Sequence, residues 1–354
     1  MDKLYFSDKP EPSNKKKIVL CALGVVALVG VVAAFATLSS TPSTNYTLQQ
    51  FAIEEQEFQG FMAKYNKAYA NEEEYQARLK IFRDNYAYAR VHNTLGRSYR
   101  LGITQFIDMT QEEFSSIYAP YKYQLPERKN LSGNLKNATN VTSWDWRAKG
   151  AVTPVGNQLQ CGDGYAFAAA GAVEGIWFIT NHTLVALSEQ EIVDCSTRFG
   201  NEGCNGGLPT NSFQFAMAHG LTSNTNYPYK GTKGKCTTKA QNQPVANIIS
   251  YQTAEANAPN NLMGLVVQQP ITVVVQSNQA AWRMYTGGII SQDCGTDVDH
   301  SVLIVGFDNT NNPPYWIVKN SYGPSWGESG YLRIAITSGE GVCGINLYPA
   351  YPVR

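Results

Sequence analysis

The cysteines are the residues whose number and spacing most directly indicate chemistry in this chain of 354 residues. Cys21 lies inside an apolar stretch near the N-terminus. The other six follow much later: Cys161, Cys195, Cys204, Cys236, Cys294 and Cys343. An even number of cysteines in an oxidising compartment predicts three disulfides and no spare thiol. A metal site is the alternative, which spacing and compartment disfavour, so we expect no metal and no cofactor.

The N-terminus predicts that compartment. Lysines 15 to 17 precede an uncharged apolar run from Ile18 to Leu38, and a helix of that length crosses a bilayer. We therefore expect a cytosolic tail over residues 1–17 and a signal anchor over residues 18–38, which makes a single-pass type II membrane precursor. A signal peptide cleaved after Ala36, where Ala34 and Ala36 are the small residues of the cleavage site, is the alternative.

Glycosylation motifs agree with entry into the secretory pathway. Sequons of the Asn-x-Ser/Thr type predict glycans at five asparagines beyond the apolar run: Asn45, Asn130, Asn137, Asn140 and Asn181. We expect the final location to be a lysosome-like or vacuole-like compartment, or the extracellular space.

Composition excludes other function classes. Lys plus Arg and Asp plus Glu both number 28, so no global field favours nucleic acid, and we expect no nucleic-acid partner. The combination of 21 tyrosines, 30 glycines and 16% charged residues is typical of a secreted globular protein. The length allows about two ordinary domains.

Apolar residues at helical spacing predict a helical domain after the apolar run. Phe58, Phe61 and Tyr65 share one face of a first helix, and Asn71 caps a second one. Polar stretches flank this region. The expected boundaries are 39–50 for a linker, 51–118 for the helical domain and 119–143 for a second linker.

The remainder, residues 144–354, has the pattern of an α+β domain. The expected helices span 164–180, 187–193 and 211–218, and the expected strands span 271–275, 301–307, 315–319 and 331–336. Helices first and strands later imply a helical half and a sheet half. A cleft between two such halves is the expected ligand site.

Motifs in this domain resemble those of the papain family, and of its cathepsin L-like cysteine peptidases in particular. The stretch Leu187–Cys195, LSEQEIVDC, is similar almost letter for letter, and CNGG at Cys204–Gly207 and WG at Trp326–Gly327 follow in the family's order. The resemblance implies a papain-like two-lobed fold, with a helical lobe and an antiparallel β-barrel-like lobe. It also implies three disulfides: Cys161–Cys204, Cys195–Cys236 and Cys294–Cys343.

The upstream helices resemble the inhibitory propeptide of the same family. Its spaced helix signature is matched by Glu74, Arg78, Phe82, Asn85 and Asn93. The resemblance implies that the helical domain is an inhibitor prodomain, so that one binding partner of the cleft is the chain's own propeptide.

The resemblance also assigns the catalytic positions, and one of them is changed. It makes His300 the base, Asn320 the residue that orients it and Gln158 an oxyanion donor. The nucleophilic cysteine is expected at position 164, where the segment CGDGY has Gly164. The residues that would bind substrate are the backbone rail and the floor of the specificity pocket: Gly206, Gly207 and Tyr348.

A glycine has no group that can attack a carbonyl, so we predict a catalytically inactive protease homologue. Its cleft would bind peptides, proteins or cystatin-like inhibitors without cleaving them. The alternative is an active cathepsin L-like cysteine endopeptidase in an acidic, lysosome-like compartment. A third interpretation is an anchored structural glycoprotein whose prodomain never leaves.

Two neighbours of the site also depart from the family pattern. Asp163 replaces a serine or alanine; we expect its carboxylate to cap the following helix and to oppose a thiolate. Tyr322 replaces the tryptophan that usually shields the histidine. For His300 the plainer alternative is a core histidine that is bonded to Asn320 and catalyses nothing.

Overall fold

The computed structural model describes residues 42–125, 141–237 and 243–354. The expected anchor, 18–38, lies outside the described residues. So do Cys21 and the side chains of four expected glycosylation sites: Asn45, Asn130, Asn137 and Asn140. Within the described ranges, no helix is both long and apolar enough to cross a membrane.

The chain divides into two units, one that ends at Gln59 and one from Gly60 to Arg354. Helix α1 (Pro42–Tyr65) begins in the first unit and ends in the second. It starts inside the stretch 39–50, so the helix begins earlier than the predicted linker allowed. Proline is tolerated in the first turn because the missing N–H has no partner there anyway.

The second unit opens with an N-terminal region, residues 60–125. After α1 it contains α2 (Glu72–Thr94), strand β1 (Tyr99–Leu101) and α3 (Gln111–Tyr118). The side chain of Asn71 accepts a hydrogen bond of 2.9 Å from the Glu74 N–H, so the predicted cap of α2 is confirmed. Acidic residues in the first turns of α2 and α3 favour the positive end of each helix dipole.

We call residues 141–354 the body. Its first three helices begin and end within two residues of the predicted bounds. They are α4 (Gly164–Asn181), α5 (Glu189–Cys195) and α6 (Pro209–His219), followed by the short α7 (Pro259–Val266) and α8 (Ala280–Arg283). Among the described residues, all six cysteines are paired in the combinations that the family resemblance implies: Cys161–Cys204, Cys195–Cys236 and Cys294–Cys343.

A nine-stranded sheet combines eight strands of the body with β1 of the N-terminal region at one edge. After β1, its strands are β2 (Ser143–Asp145), β3 (Ser250–Thr253), β4 (Ile271–Val275), β5 (Tyr285–Ile290), β6 (His300–Asp308), β7 (Tyr315–Lys319), β8 (Tyr331–Ala335) and β9 (Ala350–Val353). The order is β1-β5-β8-β7-β6-β4-β9-β3, with β2 also paired to β6. Neighbours are antiparallel except β5 and β8. The prediction of an α+β body is confirmed.

Helix α4 lies directly on strand β6. A Cβ built at Gly171 would come within 2.8 Å of Cδ2 of Leu303, so the helix passes close to the strand at this point. The helix and the strand share one apolar core with α6. This packing brings the first residue of α4, Gly164, beside the first residue of β6, His300.

Candidate active site

The structure brings together His300 and Asn320, which are twenty positions apart. His300 opens β6 and Asn320 follows β7, and these two strands are antiparallel neighbours. Nε2 of His300 lies 2.9 Å from Oδ1 of Asn320. Because a carbonyl oxygen only accepts, Nε2 carries the proton, and Nδ1 of the neutral ring is the basic nitrogen.

Aromatic rings enclose this imidazole. Tyr322 stacks on it with a centroid distance of 5.2 Å, and Trp282 meets it edge-on at 6.3 Å. His300 is 2% exposed, and this burial lowers the pKa of its ring to about 4, although the hydrogen bond to Asn320 acts in the opposite direction. The ring is therefore neutral at physiological pH.

The basic nitrogen of this ring, Nδ1, faces the backbone of Gly164. A Cβ built at Gly164 would lie 2.5 Å from Nδ1 of His300, still closer to Cε1, and 3.0 Å from the carbonyl oxygen of Ser301. Real Cβ atoms do not approach neighbours so closely. The imidazole therefore occupies the space that any side chain at position 164 would need.

Asp163 does not cap α4, so this prediction was wrong. It makes no capping hydrogen bond, and its Oδ2 lies 2.8 Å from the hydroxyl of Tyr229 instead. That hydroxyl also lies 2.9 Å from the carbonyl oxygen of Gln158. Since one hydroxyl proton cannot serve two acceptors, the contacts are satisfied when a protonated Asp163 donates to Tyr229 and Tyr229 donates to Gln158.

Burial agrees with a protonated Asp163. The side chain is 0% exposed, and burial raises the pKa of its carboxyl well above the ordinary value, with Glu189 adding to the effect. A neutral carboxyl exerts little of the repulsion on a nearby thiolate that the sequence suggested.

Gln158 is fully buried, and internal hydrogen bonds hold its amide. Its Nε2 donates to the carbonyl oxygen of Cys161 at 2.7 Å, and its Oε1 accepts from Oγ of Ser321 at 2.6 Å. This arrangement fixes the amide beside the N-terminus of α4. The oxyanion role of Gln158 stays a prediction.

The last part of the N-terminal region, residues 119–125, lies over the residues expected to bind substrate, and we name it the covering segment. Gly206 has a φ of 113°, and a Cβ built there would lie 2.6 Å from Cγ of Tyr121. Tyr123 and Leu125 pack on a cluster that includes Tyr348. Gly207 is different, because a Cβ there would meet Asn201 in the interior, 2.7 Å from its Cγ.

Arg283 is a contact residue that the sequence did not reveal. Although only 4% exposed, its guanidinium donates to the carbonyl oxygen of Met109 and, at 2.9 Å, to Oδ1 of Asn85. Its own carbonyl oxygen accepts from Oγ1 of Thr104 at 2.6 Å. A buried cation of the body thus holds the N-terminal region, but no sequence pattern shows that residues so far apart meet.

The described residues include no group of His, Cys, Asp and Glu side chains that could hold a metal ion. The other three histidines lie away from the cleft. His92 is buried in α2, His182 is exposed just after α4, and His219 is exposed at the end of α6.

Comparisons with known proteins agree with this geometry. The profile of the papain family cysteine proteases matches residues 140–353, and that of the cathepsin propeptide inhibitor domain (I29) matches residues 58–114. The chain is 41% identical to cysteine proteinase RD21A of Arabidopsis thaliana, over 84% of this chain and 66% of that protein.

Solved structures of precursors are similar over most of the chain. The recombinant stem bromelain precursor has a TM-score of 0.77 and 36% identity, covering 85% of this chain and 98% of that one. Digestive procathepsin L 3 of the Tenebrio molitor larval midgut also has a TM-score of 0.77, with 33% identity, covering 85% and 99%.

We predict that His300 makes the stability of the protein depend on pH. Its pKa of about 4 lies below the ordinary 6.5, so the unfolded chain binds more protons between these values, and stability is lost as pH falls from about 6.5 to 4. Between pH 7 and 4, wild type should lose about 3 kcal/mol more than His300→Gln in urea unfolding. His219→Gln, the same change at the end of α6 outside the cleft, is the matched control. Parallel curves for wild type and His300→Gln would contradict the assignment.

We also predict that Arg283→Gln loosens the N-terminal region. The change leaves the buried carbonyl oxygen of Met109 without its cation, so amide hydrogen exchange in α2 and α3 should accelerate about tenfold or more relative to α4. Arg333→Gln, which breaks a pair with Glu328 inside the body, is the matched control. Unchanged exchange in α2 and α3 of the folded variant would show that Arg283 does not hold this region.

Proposed function

The chain belongs to the papain family of cysteine proteases, and from this premise we propose that it is a non-catalytic member whose cleft binds peptides without cleaving them. The observation that carries the proposal is that the imidazole of His300 packs against the backbone of Gly164. Covalent catalysis needs a nucleophile beside its base, and here the base faces a residue without a side chain.

No other thiol in the described ranges can take over the reaction. All six cysteines there are in disulfides, including Cys161, which is three residues from Gly164. In serine proteases, loss of the nucleophile lowers turnover on the order of 10⁶-fold. What remains comes from the oxyanion donors and from substrate binding.

The environment of His300 adds a second obstacle. A cysteine protease uses an imidazolium to stabilise its thiolate. Burial keeps this imidazole neutral down to a pH of about 4, and stacking with Tyr322 holds the ring in place. With no thiolate at position 164 and the N-terminal region packed over Tyr322, the ring therefore lacks the charge that this role needs.

Binding, in contrast, needs only the surfaces that remain. The propeptide inhibitor domain is a partner of the body, and the covering segment that follows this domain runs past Gly206 and Tyr348. Because the covering segment is a stretch of polypeptide, a ligand that replaces it would also be an extended polypeptide segment. We therefore propose peptides, protein segments and cystatin-like inhibitors as ligands once the covering segment is displaced.

We further propose that the protein follows the secretory pathway. Three disulfides require an oxidising compartment. The expected glycosylation site Asn181 is exposed at the end of α4. In this proposal residues 18–38 serve as the signal anchor and the body lies on the lumenal side.

The proposal predicts binding without turnover. Recombinant protein, processed at acid pH, should show no hydrolysis of fluorogenic dipeptide substrates above the background without protein, while stem bromelain in the same assay hydrolyses them. Calorimetry should detect binding of a cystatin-like inhibitor by the processed protein. Sustained turnover would contradict the loss of catalysis, and absence of inhibitor binding by folded protein would contradict the binding role.

We predict that Gly164→Cys restores little activity. Its Cβ must displace the ring of His300 from Asn320, so the variant should be less stable by about 1–3 kcal/mol and should react with an epoxide thiol probe far more slowly than stem bromelain. Gly164→Ala is the matched control, since it adds the same Cβ without sulfur and should be destabilised equally. Labelling of Gly164→Cys as fast as stem bromelain, with unchanged stability, would refute the collision.

A further inference from the structure

A side-chain pocket in the cleft is filled by Tyr123 of the covering segment. The residue packs against a cluster of four buried residues of the body: Leu208, Val274, Val298 and Tyr348. The backbone N–H of Tyr123 donates to the carbonyl oxygen of Val298 at 3.4 Å. The walls of the pocket are thus mainly apolar, and they come from the start of α6, from β4 and from the two segments next to β6 and β9.

One polar side chain of the body reaches this ring. Ser301 is the second residue of β6 and lies opposite Val274 of β4 in the sheet register. Its Oγ lies 2.8 Å from the hydroxyl of Tyr123, and the residue is 1% exposed. Within the described ranges, the Tyr123 hydroxyl is the hydrogen-bond partner of this Oγ.

These contacts distinguish a phenol ring from other side chains. An aliphatic side chain could cover the walls but would leave the ring-shaped space partly empty. Phenylalanine would fill the space but would leave the buried Oγ of Ser301 without a partner, which is costly. A site that hydrogen-bonds a hydroxyl rejects the analogue without it more strongly than an apolar pocket rejects a missing methylene.

We propose that this pocket selects tyrosine side chains, and that Ser301 is the residue that determines this specificity. The inference rests on the proposed function, since it names the class of peptide that the cleft would bind. In the precursor Tyr123 occupies the pocket from within the chain. After its displacement, an extended peptide with a tyrosine at the matching position takes the same place.

The test uses the full-length chain with Tyr123→Ala, which vacates the pocket and leaves the rest of the covering segment in place. Vacated apolar pockets bind small aromatic molecules of matching size. The probes are p-cresol and toluene, which correspond to the side chains of tyrosine and phenylalanine. Dissociation constants are measured by NMR titration in Tyr123→Ala and in the double variant Tyr123→Ala/Ser301→Ala.

We expect the preference for p-cresol over toluene to fall at least tenfold when Ser301 is replaced. This comparison of ratios removes the different water solubilities of the two probes. An unchanged ratio, or binding of neither probe by folded Tyr123→Ala, would overturn the proposal. Because no turnover or inhibitor binding is measured, these failures are distinct from a failure of the proposed function.

A second measurement applies if Tyr123→Ala does not fold. Tyr123→Phe, Ser301→Ala and their combination are compared with wild type by amide hydrogen exchange of residues 119–125. Each single change should accelerate exchange about tenfold, and the combination no more than either alone, because both remove one hydrogen bond. Accelerations that multiply in the double variant would overturn the role of Ser301.

Discussion

The contact between the ring of His300 and the backbone of Gly164 is the constraint on which the cleft depends. It exists because α4 crosses β6 closely at Gly171, so that the first turn of the helix lies against the first residue of the strand. Asn320 and Tyr322 then hold the ring from its other sides. With the imidazole in this place, a side chain at position 164 is accommodated only if the ring of His300 shifts.

The groups around this contact are organised for burial rather than for proton transfer. Asp163 and Tyr229 form a neutral hydrogen-bonded pair, and Gln158 is held by Cys161 and Ser321. Among the described residues, none of these hydrogen bonds involves a cationic group that would stabilise a thiolate. The cleft wall nevertheless packs against the covering segment. The surface that binds a chain is therefore present although the nucleophile is absent.

Much of this architecture could be predicted from the sequence, because apolar periodicity and capping residues act locally. The strands β4, β6, β7 and β8 and the cap at Asn71 needed only short windows of sequence. The start of α1 was misplaced, since a polar stretch does not exclude a helix. The role of Asp163 was misjudged because its partner, Tyr229, is 66 positions away. Contacts at such separation depend on the packing of the whole body.

The same limit explains what the family pattern could and could not reveal at the cleft. It placed His300 and Asn320 in one site, and the structure brings them together because His300 opens β6 and Asn320 directly follows the antiparallel neighbour β7. It did not show that Gly207 faces Asn201 rather than the covering segment, or that Arg283 reaches Asn85, which is 198 positions earlier. These details depend on side chains that the family motifs do not include.

The most direct test of the account is the mass of the authentic protein after exposure to an excess of an epoxide thiol probe, with the prodomain displaced and with stem bromelain as the positive control. Residues 144–354 should stay unmodified, because their cysteines are all in disulfides and Gly164 offers no thiol. One equivalent of adduct, mapped by peptide sequencing to the cleft, would contradict it.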